Sequence, residues 1–303
     1  MRRLLGGATL AALAACGGGD EAAEVPAGTT LANGAVCTSA AAEAGAAQTI
    51  EGFLDGLPYG TPTGEAKREV VEAILRTCRV FSPTALAQRD CWALLASAIL
   101  KESSYDAEAT VTDAYAKRTV EGRTAEDPTV GLLQIRFSAT VHDVARFAPP
   151  DALACVGCAL PEEIRNHVEE PGDSTFWAVT GPTAHRGVMT SRACNVAMGA
   201  WYYFTNATGN GDPAKPAYAE QVCGGEATGA NLVTGLRSHL RGPDGANGVV
   251  ADEAALDALR TTDPDSFEYV GEIRTRFDAM VGARAGAHPF FTALAPERAR
   301  YCR

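Results

Sequence analysis

The chain has 303 residues, 46% of them hydrophobic and 21% charged, which is the composition of a globular protein with one large domain or two small ones. Its net charge of −11 argues against nucleic acid or anionic lipid as a binding partner. The sequence contains no His-Glu-x-x-His, no Gly-x-Ser-x-Gly and no phosphate-binding loop, so a metalloprotease is disfavoured and we expect neither a metal nor a cofactor.

The first residues have the pattern of an export signal. Met1-Arg2-Arg3 is basic, and residues 4–13 form an apolar run that is too short to span a bilayer as a mature helix. Leu13-Ala14-Ala15-Cys16 resembles a bacterial lipobox, in which the Cys is acylated; an ordinary signal peptide is the alternative. We therefore predict a lipoprotein signal peptide over residues 1–15 and a lipid anchor at Cys16. The expected location is the periplasmic face of the outer membrane or the cell surface.

The segment after the anchor differs in composition from the rest of the chain. Residues 16–47 are rich in Gly, Ala, Glu and Thr without periodicity, which predicts a flexible tether. Apolar periodicity then predicts helices over residues 50–57, 65–81, 93–102, 138–145, 161–169, 195–204, 230–241, 252–259 and 264–281, with a polar segment at 110–130 and a loop at 172–190. The last helix has Asp263 as its N-cap and Pro264 in its first turn. Residues 48–303 are thus predicted as one mainly helical domain with a small β element.

Nine cysteines are present, and removing Cys16 leaves an even number. In an exported protein this predicts up to four structural disulfides. Cys155 and Cys158 are spaced like a redox or metal pair, but no second pair at zinc spacing follows. The expected pairings are of sequence neighbours, Cys78 with Cys91 and Cys194 with Cys223. The eight candidates are Cys37, Cys78, Cys91, Cys155, Cys158, Cys194, Cys223 and Cys302.

Glu102 closes the most apolar of the predicted helices, residues 93–102. The positions three, four and seven residues before it are Ile99, Ala98 and Leu95, so its carboxylate lies on an apolar face at the negative end of the helix dipole. Desolvation and the dipole both favour the protonated acid, which is the form that a general acid needs. The alternative is a solvated helix end that carries an ordinary acid.

Three motifs follow one another in a specific order. Glu102-Ser103 has Tyr105 and Ala109 after it, Gly131-Leu132-Leu133-Gln134-Ile135 comes next, and Asn195-Val196-Ala197-Met198-Gly199-Ala200-Trp201-Tyr202 comes last. Over residues 91–204 the chain resembles the lytic transglycosylase and goose-type lysozyme group of the lysozyme-like superfamily, whose domain is called SLT-type. The resemblance implies a lysozyme-like fold, mainly α with a small β-lobe beside the cleft, formed by residues 110–130.

The resemblance also implies the roles of individual residues. Glu102 would protonate the glycosidic oxygen of peptidoglycan and then act as a base. Residues expected to bind the substrate are Ser103, Tyr105, Gln134, Asn195 and Tyr202. A polar residue at a helix end is the alternative for Ser103, and core packing is the alternative for Gln134 and Tyr202. Tyr105 and Trp177 could stack on sugar rings, but core packing is the favoured interpretation of Trp177.

The reaction outcome depends on whether a second carboxylate takes part. A lysozyme that hydrolyses usually needs one, whereas the resembled transglycosylases use the substrate's acetamido group and give 1,6-anhydromuramyl ends. Because only Glu102 stands out, we favour the lyase, acting as a monomer on glycan strands. Two alternatives stay open, which are a wall-binding lipoprotein without activity and a muramidase or chitin- or chitosan-type hydrolase using Asp106, Asp113, Asp127 or Asp143.

Overall fold

The computed structural model describes residues 25–38, 43–56, 61–112, 117–120, 123–168, 175–209, 219–242, 249–282 and 286–303, and for 117–120 and 123–125 it describes the backbone alone. The predicted signal peptide at residues 1–15, the predicted lipidation site Cys16 and the candidate Asp113 lie outside these residues.

Most of the described chain is α-helical. The helices are α1 (Ala44–Asp55), α2 (Gly64–Phe81), α3 (Gln88–Ser103), α4 (His142–Phe147), α5 (Pro150–Cys155), α6 (Glu162–His167), α7 (Gly181–Ala184), α8 (Arg186–Thr190), α9 (Arg192–Gly209), α10 (Ala219–Gly224), α11 (Leu232–Arg241), α12 (Glu253–Thr262), α13 (Pro264–Val281) and α14 (Arg298–Tyr301). Two π-helical segments, Phe137–Val141 and Phe176–Thr180, and one 3₁₀ turn, Pro289–Phe291, complete the helical part.

The strands lie between α3 and α4. They are β1 (Thr110–Val111), β2 (Lys117–Val120), β3 (Arg123–Glu126), β4 (Thr129–Val130) and β5 (Ile135–Arg136). β4 is the middle strand of an antiparallel sheet, in which Val130 pairs with Thr110 of β1 and with Ile135 of β5. β2 and β3 form a separate antiparallel pair. The prediction of a mainly helical domain with a small β element is therefore confirmed.

Helices α3 and α9 form the centre of the fold. α3 packs against α13, α2 and α1, and α9 packs against α11 and α2. Residues 93–100 of α3 and 194–209 of α9 are all buried, so neither helix exposes a face to solvent over these stretches. A helix that is surrounded by other helices needs apolar residues on nearly every side, and the sequence of residues 93–102 in α3 has this pattern.

The apolar periodicity that predicted α2 and the N-cap that was predicted for α13 are both present in the structure. α2 ends at Phe81, and it buries Val70, Ile74 and Cys78 on one stripe. At the start of α13 the Asp263 side chain accepts a hydrogen bond from the Ser266 N–H, as an N-cap does. Within the described residues, no helix is both long and apolar enough to cross a membrane.

Residues 175–190 form helical segments, so the loop predicted at 172–190 is wrong over this part, while residues 172–174 lie outside the described residues. The π-helical segment Phe176–Thr180 leads into α7 and α8. Phe176 and Trp177 are buried, with ring centroids 5.8 Å and 5.3 Å from that of Phe137. This packing stabilises helical turns in a segment of low helix propensity, and Pro182 is tolerated because it stands in the first turn of α7.

The folded chain also begins earlier than the boundary predicted at residue 48. Thr30 and Val36 form an antiparallel bridge, Leu31 and Cys37 are 4% exposed, and α1 begins at Ala44. A short hairpin is thus packed on the domain where the sequence predicted a tether, because a disulfide and two buried side chains hold it there.

Four disulfides join all the cysteines after Cys16. The bonds are Cys37–Cys155, Cys78–Cys91, Cys158–Cys194 and Cys223–Cys302. The predicted Cys78–Cys91 bond is confirmed. The predicted Cys194–Cys223 bond is wrong, because the start of α9 lies against the loop that carries Cys158. Cys155 and Cys158 have different partners, which rules out a redox or metal pair.

Candidate active site

Glu102 lies in the last turn of α3, where the helix meets the small sheet. Leu95, Ala98 and Ile99 behind it are 0% exposed, and the Glu102 side chain itself is 13% exposed. The backbone then turns sharply, with Ser104 and Tyr105 at positive φ. The predicted apolar face is therefore present, and it leaves the carboxyl group only a narrow opening to solvent.

Three other helices bring polar side chains to this carboxyl group. The Tyr269 hydroxyl, from α13, donates a hydrogen bond to Glu102 Oε1. His239 of α11 has its Nε2 3.4 Å from the same oxygen. The Tyr203 hydroxyl, from α9, lies 3.2 Å from the Tyr269 hydroxyl. We call these four residues, Glu102, Tyr203, His239 and Tyr269, the Glu102 cluster.

Both tyrosines of the cluster keep their protons. Burial, and then the charge of Glu102, raise the pKa of Tyr203 and of Tyr269 well above the ordinary value of 10.0. Each hydroxyl is therefore a donor at neutral pH. Because the one hydroxyl hydrogen of Tyr269 is donated to Glu102, Tyr269 accepts the hydrogen bond that it shares with Tyr203.

Aromatic rings fix the orientation of His239. Its side chain is 7% exposed. Its ring centroid lies 4.6 Å from that of Tyr203 and 6.4 Å from that of Tyr202, both at steep angles. Edge-to-face contacts of this kind favour one ring orientation, and here Nε2 is directed toward Glu102.

The segment of residues 131–135, which we call the motif turn, lies beside the end of α3. The Ser103 hydroxyl donates to the Leu132 carbonyl at 2.9 Å, which joins the helix to the turn. Gln134 has φ +47° and is 5% exposed. Its Nε2 donates to the carbonyls of Gly131 and Ala109, and its Oε1 accepts from Thr129. The amide thus holds the turn against β1 and β4.

Asn195 fastens the motif turn to α9. It is 0% exposed, and its Oδ1 accepts a hydrogen bond from the Leu133 N–H at 2.7 Å. Its Nδ2 donates to the carbonyls of Val130 and Met189. A Cβ at Gly131 would lie 2.2 Å from that nitrogen, so only glycine leaves room for the amide. All three contacts of this side chain are therefore made to backbone.

The binding residues predicted from the sequence divide into three groups. Tyr202, 4% exposed, borders the Glu102 cluster through the His239 ring, and Ser103 lies next to Glu102 in α3. Gln134 and Asn195 hold the motif turn instead. The Tyr105 hydroxyl donates to the Ala96 carbonyl at 2.7 Å within the core.

The described aspartates proposed as a second carboxylate all have local partners. Asp127 is 0% exposed and accepts hydrogen bonds from the backbone N–H groups of Phe137 and Ser138. Asp143 pairs with His142 at 3.1 Å. Asp106, which is exposed, accepts from the Glu108 N–H.

Sequence reasoning missed three members of the cluster, namely Tyr203, His239 and Tyr269. Tyr269 stands four and eight residues before Ile273 and Phe277, so the stripe of α13 predicts that it is buried. Its contact with Glu102 joins residues 167 positions apart, which no local pattern reveals. His239 lies in the last turn of α11, where a basic residue is unremarkable in sequence.

Comparison with known proteins adds no assignment. No family profile, no curated protein and no solved structure matches this chain. Among the described residues, no group of three or more His, Cys, Asp or Glu side chains is placed to hold a metal ion. The function must be inferred from the chemistry of the Glu102 cluster.

Proposed function

We propose that this protein is a lysozyme-like enzyme that cleaves β-1,4 glycosidic bonds in peptidoglycan by a lytic transglycosylase-type reaction. The observation that carries the proposal is the Glu102 carboxyl group, which is 13% exposed at the end of a buried helix and held on one oxygen by Tyr269. A carboxyl group that is largely withdrawn from water suits general acid catalysis, and the hydrogen bond from Tyr269 fixes its orientation.

In the first step, Glu102 gives its proton to the glycosidic oxygen while the bond from that oxygen to C1 of the muramyl residue breaks. The resemblance to lytic transglycosylases implies that the substrate's own acetamido oxygen then bonds to C1. In the second step, the Glu102 carboxylate removes the proton of the C6 hydroxyl as its oxygen attacks C1 and displaces the acetamido oxygen. The product is a 1,6-anhydro end, no water is consumed, and Glu102 is protonated again.

The environment of Asp127 and Asp143 favours the lyase over a hydrolase that uses either of them. A retaining or inverting hydrolase needs a second carboxylate facing the scissile bond. Asp127 is fully buried on two backbone N–H groups, and Asp143 is paired with His142. Neither is available as a nucleophile without breaking these contacts.

Mass spectrometry of the products tests this proposal. Purified peptidoglycan glycan strands are incubated with the protein and with Glu102→Gln, and the new chain ends are analysed. We expect anhydro ends, each lighter than a reducing end by one water, with the wild type alone. Reducing ends would instead indicate the hydrolase, and binding of strands without any new ends would indicate a wall-binding protein.

The same proposal places the enzyme outside the cytoplasm, anchored through Cys16. Four disulfides are compatible with export, since such bonds persist in oxidising compartments. Fractionation of cells that express the wild type or Cys16→Ser tests the anchor. We expect wild-type protein in the membrane fraction, and a wild type that is soluble and unmodified would contradict the proposal.

A further inference from the structure

Close packing of two helices brings His239 to the site. Gly235 stands one helical turn before His239 on α11, and a Cβ there would lie 2.3 Å from the Tyr203 carbonyl oxygen of α9. The absence of a side chain at this position lets the two helices approach closely. The imidazole, four residues later on the same face, then reaches the Tyr203 ring and the carboxyl group behind it.

The contacts of Tyr269 and His239 with Glu102 are both made to Oε1, and Tyr203 also interacts with this carboxyl group. Tyr269 donates to this oxygen, and His239 Nε2 lies 3.4 Å from it. Because Oε1 accepts the hydrogen bond of Tyr269, a proton on the carboxyl group belongs on Oε2. The arrangement thus distinguishes the two carboxyl oxygens, with Oε1 held and Oε2 carrying the proton to be transferred.

We propose that His239 is a positioning residue for the cleavage reaction, which directs Oε2 of Glu102 toward the glycosidic oxygen by holding Oε1 through Nε2–H. This inference rests on the proposed function. It assigns the imidazole no contact with the glycan, so its loss affects the chemical step and leaves substrate binding intact.

Two substitutions at position 239 separate positioning from packing. In His239→Gln the amide Nε2–H stands near the place of the imidazole Nε2–H, whereas His239→Leu fills the space without a donor. On soluble glycan strands we expect kcat to fall about 10- to 100-fold in His239→Leu and less than about threefold in His239→Gln. KM should stay within about twofold of the wild type in both variants. Thermal unfolding confirms that each variant is folded.

The possible results keep this inference distinct from the proposed function. An unchanged kcat in His239→Leu, or equal losses in the Leu and Gln variants, would overturn the positioning role while Glu102→Gln could still be inactive. An active Glu102→Gln would instead overturn the proposed function.

A spectroscopic measurement tests the contact without any substrate. The ¹⁵N resonance of His239 Nε2 is compared in the wild type and in Glu102→Ala, with the other four histidines as internal references. We expect this resonance to move by more than any of theirs. If it does not move, His239 does not hold Glu102, and the inference is overturned whatever the activity assay shows.

Discussion

The motif turn and the Glu102 cluster lie next to each other and are held together in opposite ways. In the turn, the side chains of Gln134 and Asn195 bond to backbone groups and join β1, β4 and α9. In the cluster, side chains from four helices bond to one another and converge on a single carboxyl group. The turn supports the fold, whereas the cluster is the place at which we propose that the chemistry occurs.

This difference shows that a recognisable motif need not consist of residues that contact the substrate. Gln134 and Asn195 are conspicuous in the sequence because each is a single amide within an apolar run. Such a run is buried in the fold, so both side chains are buried and hydrogen-bonded. The groups that contact Glu102 come from helices α9, α11 and α13. Substitutions in the turn should therefore reduce stability, and substitutions in the cluster should reduce activity.

The largest expected effect is the loss of activity in Glu102→Gln. The amide retains the shape of the side chain but cannot act as an acid, so glycan cleavage should fall by at least about 10²–10⁴-fold. Stability should stay equal or rise slightly, since a buried carboxyl group is replaced by a neutral one. The exposed Glu108→Gln is the matched control, and a rate equal to that of the wild type in Glu102→Gln would end the catalytic assignment.

Asn195→Ala should show the opposite behaviour. It leaves the Leu133 N–H and the carbonyls of Val130 and Met189 without this partner in a fully buried place. We expect the free energy of unfolding to fall by about 3–5 kcal/mol, with measurable activity while the protein remains folded. Denaturant unfolding measures the loss, and the exposed Asn166→Ala should be nearly neutral. A loss of activity at full stability would make Asn195 part of the site.

Local patterns in the sequence predicted the helices better than the contacts between them. The stripe of α2 and the cap of α13 depend on neighbours within a few residues, and Cys78–Cys91 joins residues only 13 apart. The same preference for neighbours failed for Cys194, whose partner Cys158 is set by the packing of α9. Glu102 was found because its own helix is apolar, while the contact with Tyr269 depends on how α3 and α13 pack.

A smaller effect is expected from Gly235→Ala, which tests the packing behind the cluster. The new methyl group would lie 2.3 Å from the Tyr203 carbonyl oxygen and 2.9 Å from the Ala207 Cβ, so α11 must move away from α9. We expect a loss of about 1–3 kcal/mol in the free energy of unfolding, together with reduced activity as His239 shifts. Gly271→Ala is the matched control, because its Cβ would meet nothing within 4 Å. That variant should gain about 0.5–1 kcal/mol.

The smallest effect is expected at high pH, where the free energy of unfolding should fall because the folded protein keeps the Tyr269 proton and the unfolded chain loses it. Burial raises the pKa of Tyr269 well above 10.0 in the folded protein, whereas the unfolded chain ionises near that ordinary value. Below pH 10 both states hold the proton, so this residue contributes no slope. Above it the unfolded state binds fewer protons, and stability falls by up to about 1.4 kcal/mol per pH unit.

In Tyr269→Phe, the free energy of unfolding should therefore fall less steeply above pH 10 than in the wild type, by up to about 1.4 kcal/mol per pH unit. Below pH 10 the free energies of unfolding of the two proteins should change with pH in parallel. Denaturant unfolding at a series of pH values measures both slopes. Equal slopes above pH 10 would mean that the Tyr269 hydroxyl ionises in the folded protein. Such an ordinary pKa would contradict a hydroxyl that is buried beside the Glu102 carboxyl group, and with it the enclosed cluster that distinguishes this site from the motif turn.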